Sequence, residues 1–114
     1  MLHLSRIAFW AAAVFAFVMA VLPQPPSFDV SDKLEHMAAF FVIAVLGCMA
    51  YPNFSRVKLA LALVAFGGLI ELVQEIPMLH RDSELSDWLA DIFAVAIAMA
   101  CVWLVQRLRT AQAD

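Results

Sequence analysis

Three short stretches of this chain hold most of the side chains able to do chemistry. The first is "DVSDKLEH", with Asp29, Asp32, Lys33, Glu35 and His36. The second is "GGLIELVQEIPML", with Glu71, Gln74 and Glu75 at the end of a long apolar run. The third is "HRDSELSDWLAD", with His80, Arg81, Asp82, Glu84, Asp87 and Asp91. On helices, Lys33 and His36 share a face, as do Glu71 and Gln74, and Asp87 and Asp91. Such a set could hold a phosphate on Lys33, Arg81 and His36, with Glu71, Gln74 and Asp91 taking sugar or peptide donors. His36 beside Glu71 or Asp91 could also act as a general acid/base pair. A His/Asp/Glu set is in principle a divalent-metal set. However, no HExxH or phosphatase-type motif is present and no nucleophilic Ser or Cys falls in the cluster, so no metal or cofactor is assigned.

The elements that position these residues are apolar. Of 114 residues, 65% are hydrophobic and 15% charged, and the mean hydropathy is +0.89. A soluble chain of this length lacks the core volume to bury that much apolar surface. The expectation is an all-α integral membrane protein, a single four-helix bundle with short loops. Its helices are expected over about residues 5–22, 32–51, 56–76 and 87–107, divided by the prolines and polar stretches at 23–33, 52–56 and 77–86. The Ala- and Leu-rich runs do not alternate, which argues against strands. The first run also fits a signal peptide, with Arg6 before the apolar stretch and Val18-Met19-Ala20 as a cleavage-like site. Its length and the Val at the first small position favour a retained helix.

Lys and Arg orient the bundle. With both termini inside, the inner side carries Arg6, Arg56, Lys58, Arg107 and Arg109, and the outer side only Lys33 and Arg81. The expectation is N-in and C-in, with the polar cluster facing out. His36, Glu71 and Asp91 then reach similar depth and converge between helices 2, 3 and 4. An acid at mid-helix costs about 2.5–3.5 kcal/mol on insertion scales, so these groups seek partners. The net charge of −3 and the lack of a basic patch argue against nucleic acid. Cys48 and Cys101 read as buried small hydrophobes. Trp10 and Trp103 read as interface or lipid-facing, and Trp88 as part of the outer aromatic belt. Gly67-Gly68 reads as a close helix contact, Ser86 as an N-cap and the tail "TAQAD" as frayed.

The segments "DKLEHMAAFF", "GGLIELVQ" and "HRDSELSDWLAD", in this order, resemble the VanZ-like family of small bacterial membrane proteins. That family's pattern is Lys-x-x-His before helix 2, Glu-x-x-Gln late in helix 3, and an Arg followed by Asp-x-x-x-Asn/Asp-x-x-Gly entering helix 4. The matching positions are Lys33, His36, Glu71, Gln74, Arg81, Asp87 and Asp91, and the resemblance covers about residues 30 to 100. Ala94 stands where the family's glycine is usual, and position 91 is Asp, a variant that some members share. The resemblance implies a place in the cytoplasmic membrane and a link to the cell envelope, the family being named for a member tied to teicoplanin resistance. It supplies no reaction. Three readings of the cluster stay open: recognition of an envelope lipid or lipid-linked precursor head group, a membrane enzyme acting on such a lipid, and polar glue in a structural protein or subunit. Membrane lipids, a partner membrane protein and a second copy of the chain are the partners these readings name.

Overall fold

In a computed structural model the chain forms four α-helices. The structure describes residues 2–21, 30–75 and 85–113, with side chains described over 2–21, 34–75 and 85–112. The helices are α1 (Leu2–Val21), α2 (Val30–Ala50), α3 (Arg56–Gln74) and α4 (Leu85–Ala113). The link between α2 and α3 is built locally. Tyr51 N–H donates to the Gly47 carbonyl at 3.0 Å, and Phe54 N–H to the Tyr51 carbonyl at 3.1 Å. Ser55 caps α3 by accepting from Lys58 N–H at 3.3 Å.

Directions follow from cross-helix bonds. The Arg6 side chain near the start of α1 reaches the Ala50 carbonyl at the end of α2. Gln74 at the end of α3 reaches the Ala20 carbonyl near the end of α1. Cys48 of α2 meets Met99 of α4, Sγ to Sδ 3.6 Å. The chain therefore runs up, down, up, down. α2 touches each of the other helices, most extensively α4 and α1. Its Phe40, Ile43, Ala44, Cys48 and Ala50 form much of the core, with Phe9 and Ala20 of α1, Leu59, Leu63 and Ile70 of α3, and Ala94, Val95 and Ala98 of α4. α1 is thus a packed member of the bundle.

The outer surface is rich in apolar side chains, and three polar groups are buried beside the apolar core. The buried residues include Glu71, Gln74 and Asp91, while Leu4, Ile7, Val14, Phe15, Leu61, Leu72, Phe93 and Trp103 are exposed. Water would penalise that arrangement, whereas lipid suits it. Among the described residues, three helices are long and apolar enough to cross a membrane: Leu2–Val21, Arg56–Gln74 and Leu85–Gln112. Among the described residues α2 contributes a shorter apolar segment, Leu34–Ala50.

Several local expectations are corrected. α4 is a 29-residue helix, about 43 Å long, that continues past Arg107 to Ala113, so most of the "TAQAD" tail is helical. Thr110 Oγ1 donates back to the Gln106 carbonyl at 2.9 Å there. α4 already includes Leu85, which puts Ser86 inside the first turn and not at the cap. Cys48 is buried but Cys101 is exposed, on the outer face of α4. Trp88 turns inward: its indole N–H donates to the Val64 carbonyl of α3 at 3.0 Å. The glycine pair makes that approach possible. A methyl group at Gly67 would sit 3.2 Å from Asp91 Oδ2 and 3.4 Å from both Phe40 Cζ and Trp88 Cδ1, and one at Gly68 would sit 3.4 Å from Trp88 Nε1.

Candidate functional site: an acceptor stripe between α3 and α4

Where α1 and α3 end and α2 and α4 begin, the bundle turns acidic. On α3, Gly67, Glu71 and Gln74 follow at helical spacings of four and three and so form one stripe. That stripe faces inward, since Gly67, Glu71 and Gln74 are all buried. From Gly67 to Gln74 it spans about 10 Å along the helix axis. On α4, Asp87 and Asp91 are four apart; Asp87 is half-buried and Asp91 only 1% exposed. The Asp91 carboxylate lies against Gly67, where the missing side chain leaves room for it. The stripe therefore has Asp91 at its floor, Glu71 above and Gln74 at the helix end. Glu71 and Asp87 are the acidic neighbours of Asp91.

The three buried polar groups are not equally satisfied. Gln74 Nε2 donates to the Ala20 carbonyl at 2.9 Å. This bond ties α3 to α1 and fixes the amide, leaving Oε1 as the atom turned away from Ala20. Gln74 Oε1 and both carboxylate oxygens of Asp91 have no hydrogen-bond partner among the described residues. Glu71 and Asp87 take part in interactions of their own. An unpartnered buried polar atom costs about 1–3 kcal/mol, more when charged. Below Asp91 the packing is apolar, with Phe40, Ile43, Val95 and Ala98.

Of the residues singled out from sequence, Glu71, Gln74 and Asp91 are all buried at this end, Glu71 near Asp91 and Gln74 bonded to α1, with Asp87 one turn above Asp91. His36 is half-buried on α2, one turn before Phe40. Lys33 lies in the first turns of α2, but its side chain, all of Arg81, and the ion pairs expected of both lie outside the described residues. Among the described residues no three His, Cys, Asp or Glu side chains are grouped to hold a metal ion. Sequence reasoning missed the part played by α1. The Ala20 carbonyl is a backbone group near a helix end, so residue type carries no signal of it, although orphan carbonyls are expected there. Ala94 is 3% exposed and packs in the core.

The opposite end is cationic. Arg6 Nε donates to the Ala50 carbonyl at 3.0 Å and Arg56 Nη1 to the Cys48 carbonyl at 3.3 Å, so two arginines satisfy the last carbonyls of α2. Tyr51 joins this end: the Arg6 guanidinium lies 4.8 Å from its ring centroid, and its hydroxyl accepts from Trp10 Nε1 at 2.8 Å. Lys58 lies in the first turn of α3, and Arg107 and Arg109 near the end of α4. A shallow depression along Trp103, Gln106, Arg107, Thr110 and Ala111 is the side of that single helix. In comparisons with family models, with curated proteins and with solved structures, nothing matches the chain.

Proposed function

We propose that this chain is a VanZ-like protein of the bacterial cytoplasmic membrane, N-in and C-in, whose acidic end faces outward and recognises the polar head group of an envelope lipid or lipid-linked precursor. The observation that carries this reading is Asp91: a carboxylate 1% exposed, with neither oxygen partnered among the described residues, at the foot of a stripe with Glu71 and Gln74. Ionisable groups inside membrane helices are expensive and are kept where they meet a ligand or a partner. Orientation rests on the charge bias, with Arg6, Arg56, Lys58, Arg107 and Arg109 at one end. Lys33 and Arg81, from the family-like motifs, would meet the phosphate of the head group.

Polar glue is the second reading, and it has observations in its favour. Gln74 to Ala20 and Trp88 to Val64 are hydrogen bonds between helices of the kind that hold membrane bundles together. It does not account for Asp91, which bonds to nothing described. An enzymatic role would need His36 to reach Glu71 or Asp91.

The test is lipid analysis by native mass spectrometry of purified wild type beside Lys33→Ala, Arg81→Ala and the Glu71→Gln/Asp91→Asn double variant. The expected result is a bound lipid in wild type that falls at least tenfold in the variants while each stays folded. Lipid content equal across all of them would sink the proposal. Variants that fall apart while keeping wild-type lipid would favour glue.

A further inference from the structure

With its carboxyls ionised, the described part of the acceptor stripe accepts hydrogen bonds and donates none. Asp91 offers two oxygens beside Gly67; further along α3 Gln74 offers Oε1 because its Nε2 is spent on the Ala20 carbonyl, and Glu71 lies between Gly67 and Gln74 on the same face of α3. Asp91 is 1% exposed and Gln74 3%. The other groups packed around the floor are no better as donors. Phe40, Ile43 and Val95 are apolar, and the indole N–H of Trp88 is already given to the Val64 carbonyl. A phosphate or carboxylate placed here would meet like charge and find no donor. A group that brings its own N–H donors and a positive charge would satisfy the orphaned oxygens of Asp91 and offset its charge. The described ligands are too few for a metal ion, with no group of three.

We infer that the floor of the stripe takes a primary ammonium group, with Asp91 as its counter-ion. This rests on the reading of the acidic end as a head-group site, and it divides that head group in two. The amine goes down to Asp91, and the phosphate stays toward the helix ends, where the backbone of Lys33 lies. Gly67 is the residue that makes the floor: a methyl there would press on Asp91 Oδ2 at 3.2 Å. The ring of Trp88 lies against Gly67 and Gly68, on the same stretch of α3 that the carboxylate approaches.

The experiment uses the full chain in nanodiscs containing phosphatidylethanolamine, phosphatidylcholine and phosphatidylglycerol in equal amounts, with retained lipid read by native mass spectrometry. These head groups present a primary ammonium, a quaternary ammonium without N–H donors, and no amine. Retention of the ethanolamine lipid should exceed the other two at least tenfold and should vanish in Asp91→Asn. If Asp91→Asn does not fold, the wild-type preference decides by itself. Free ethanolamine, added in detergent, separates the sources. A melting temperature raised in wild type but not in Asp91→Asn means a soluble amine suffices, and no rise means that the lipid carries it; the ammonium assignment then stands on the nanodisc preference. Equal retention of the three lipids overturns the assignment. Retention of a lipid without an amine that still depends on Asp91 overturns it too, while leaving the head-group reading intact. Lipid retention that depends on no residue of the cluster overturns both.

Discussion

At the end of the bundle where α2 stops, charge is spent on structure. Arg6 and Arg56 close the last carbonyls of α2, Arg6 lies over Tyr51, and Tyr51 accepts from Trp10. At the end where α4 starts, Asp91 is deeper than any of these cations and bonds to nothing described. The arginines reach their targets from long side chains whose apolar stems cover core while their heads stay near the surface. Asp91 has one methylene and cannot reach out, so its partner must come to it. Helices in lipid gain from polar contacts, and a bundle using charge only for cohesion would pair it, as the arginine end does. The contrast teaches that partnering, and not burial or residue type, separates structural charge from a candidate site in this molecule.

The hardest blow to the comparison is to overfill both ends. Gly67→Leu must displace Asp91, Phe40 and Trp88, and Gly47→Leu must displace Leu59 and Phe9, whose atoms lie 3.0 Å from a methyl placed at Gly47. Each should cost about 3 kcal/mol in unfolding titrations in mixed micelles. Only Gly67→Leu should also lose the bound lipid; equal lipid loss at both would dissolve the contrast. Next comes Asp91→Leu, which replaces an unpartnered carboxylate by an apolar side chain. It should raise stability by about 2 kcal/mol while abolishing lipid retention, because the site costs stability that packing can recover. A loss of stability would mean that Asp91 is glue after all. Arg6→Leu makes the opposite prediction: removing the donor to the Ala50 carbonyl should lower stability by about 1 kcal/mol with lipid unchanged. The smallest effect is expected from Trp88→Phe, which keeps a ring on Gly68 but drops the bond to Val64, for a loss of about 0.6 kcal/mol.

Much of this architecture is legible in the sequence, because prolines and charged stretches divide apolar runs of spanning length. The spacings Glu71–Gln74 and Asp87–Asp91 place their members on common faces, and the structure buries Glu71, Gln74 and Asp91. What the sequence does not reveal is partner choice. Trp88 has the composition of a belt residue, yet an inward turn is open to it because Gly67 and Gly68 lack side chains. Cys101 sits in an apolar run as Cys48 does, and only rotation about α4 decides that one faces out. The role of Tyr51 as acceptor and ring platform depends on α1 lying antiparallel to α2, a tertiary fact. α4 outruns its apolar span because Gln106, Arg107, Arg109, Thr110 and Gln112 do not break a helix.

The place of Trp88 also has an optical consequence. The chain has three tryptophans. Trp10 is bonded to Tyr51 and Trp103 lies under Arg107, both away from the acidic end. Only Trp88 touches the glycines beside Asp91. With Trp10 and Trp103 both changed to Phe, the remaining emission would come from the indole beside the acceptor stripe. Its wavelength and intensity would then follow the arrival of a cation next to the ring, giving this small membrane protein a built-in fluorescent reporter of its own occupancy.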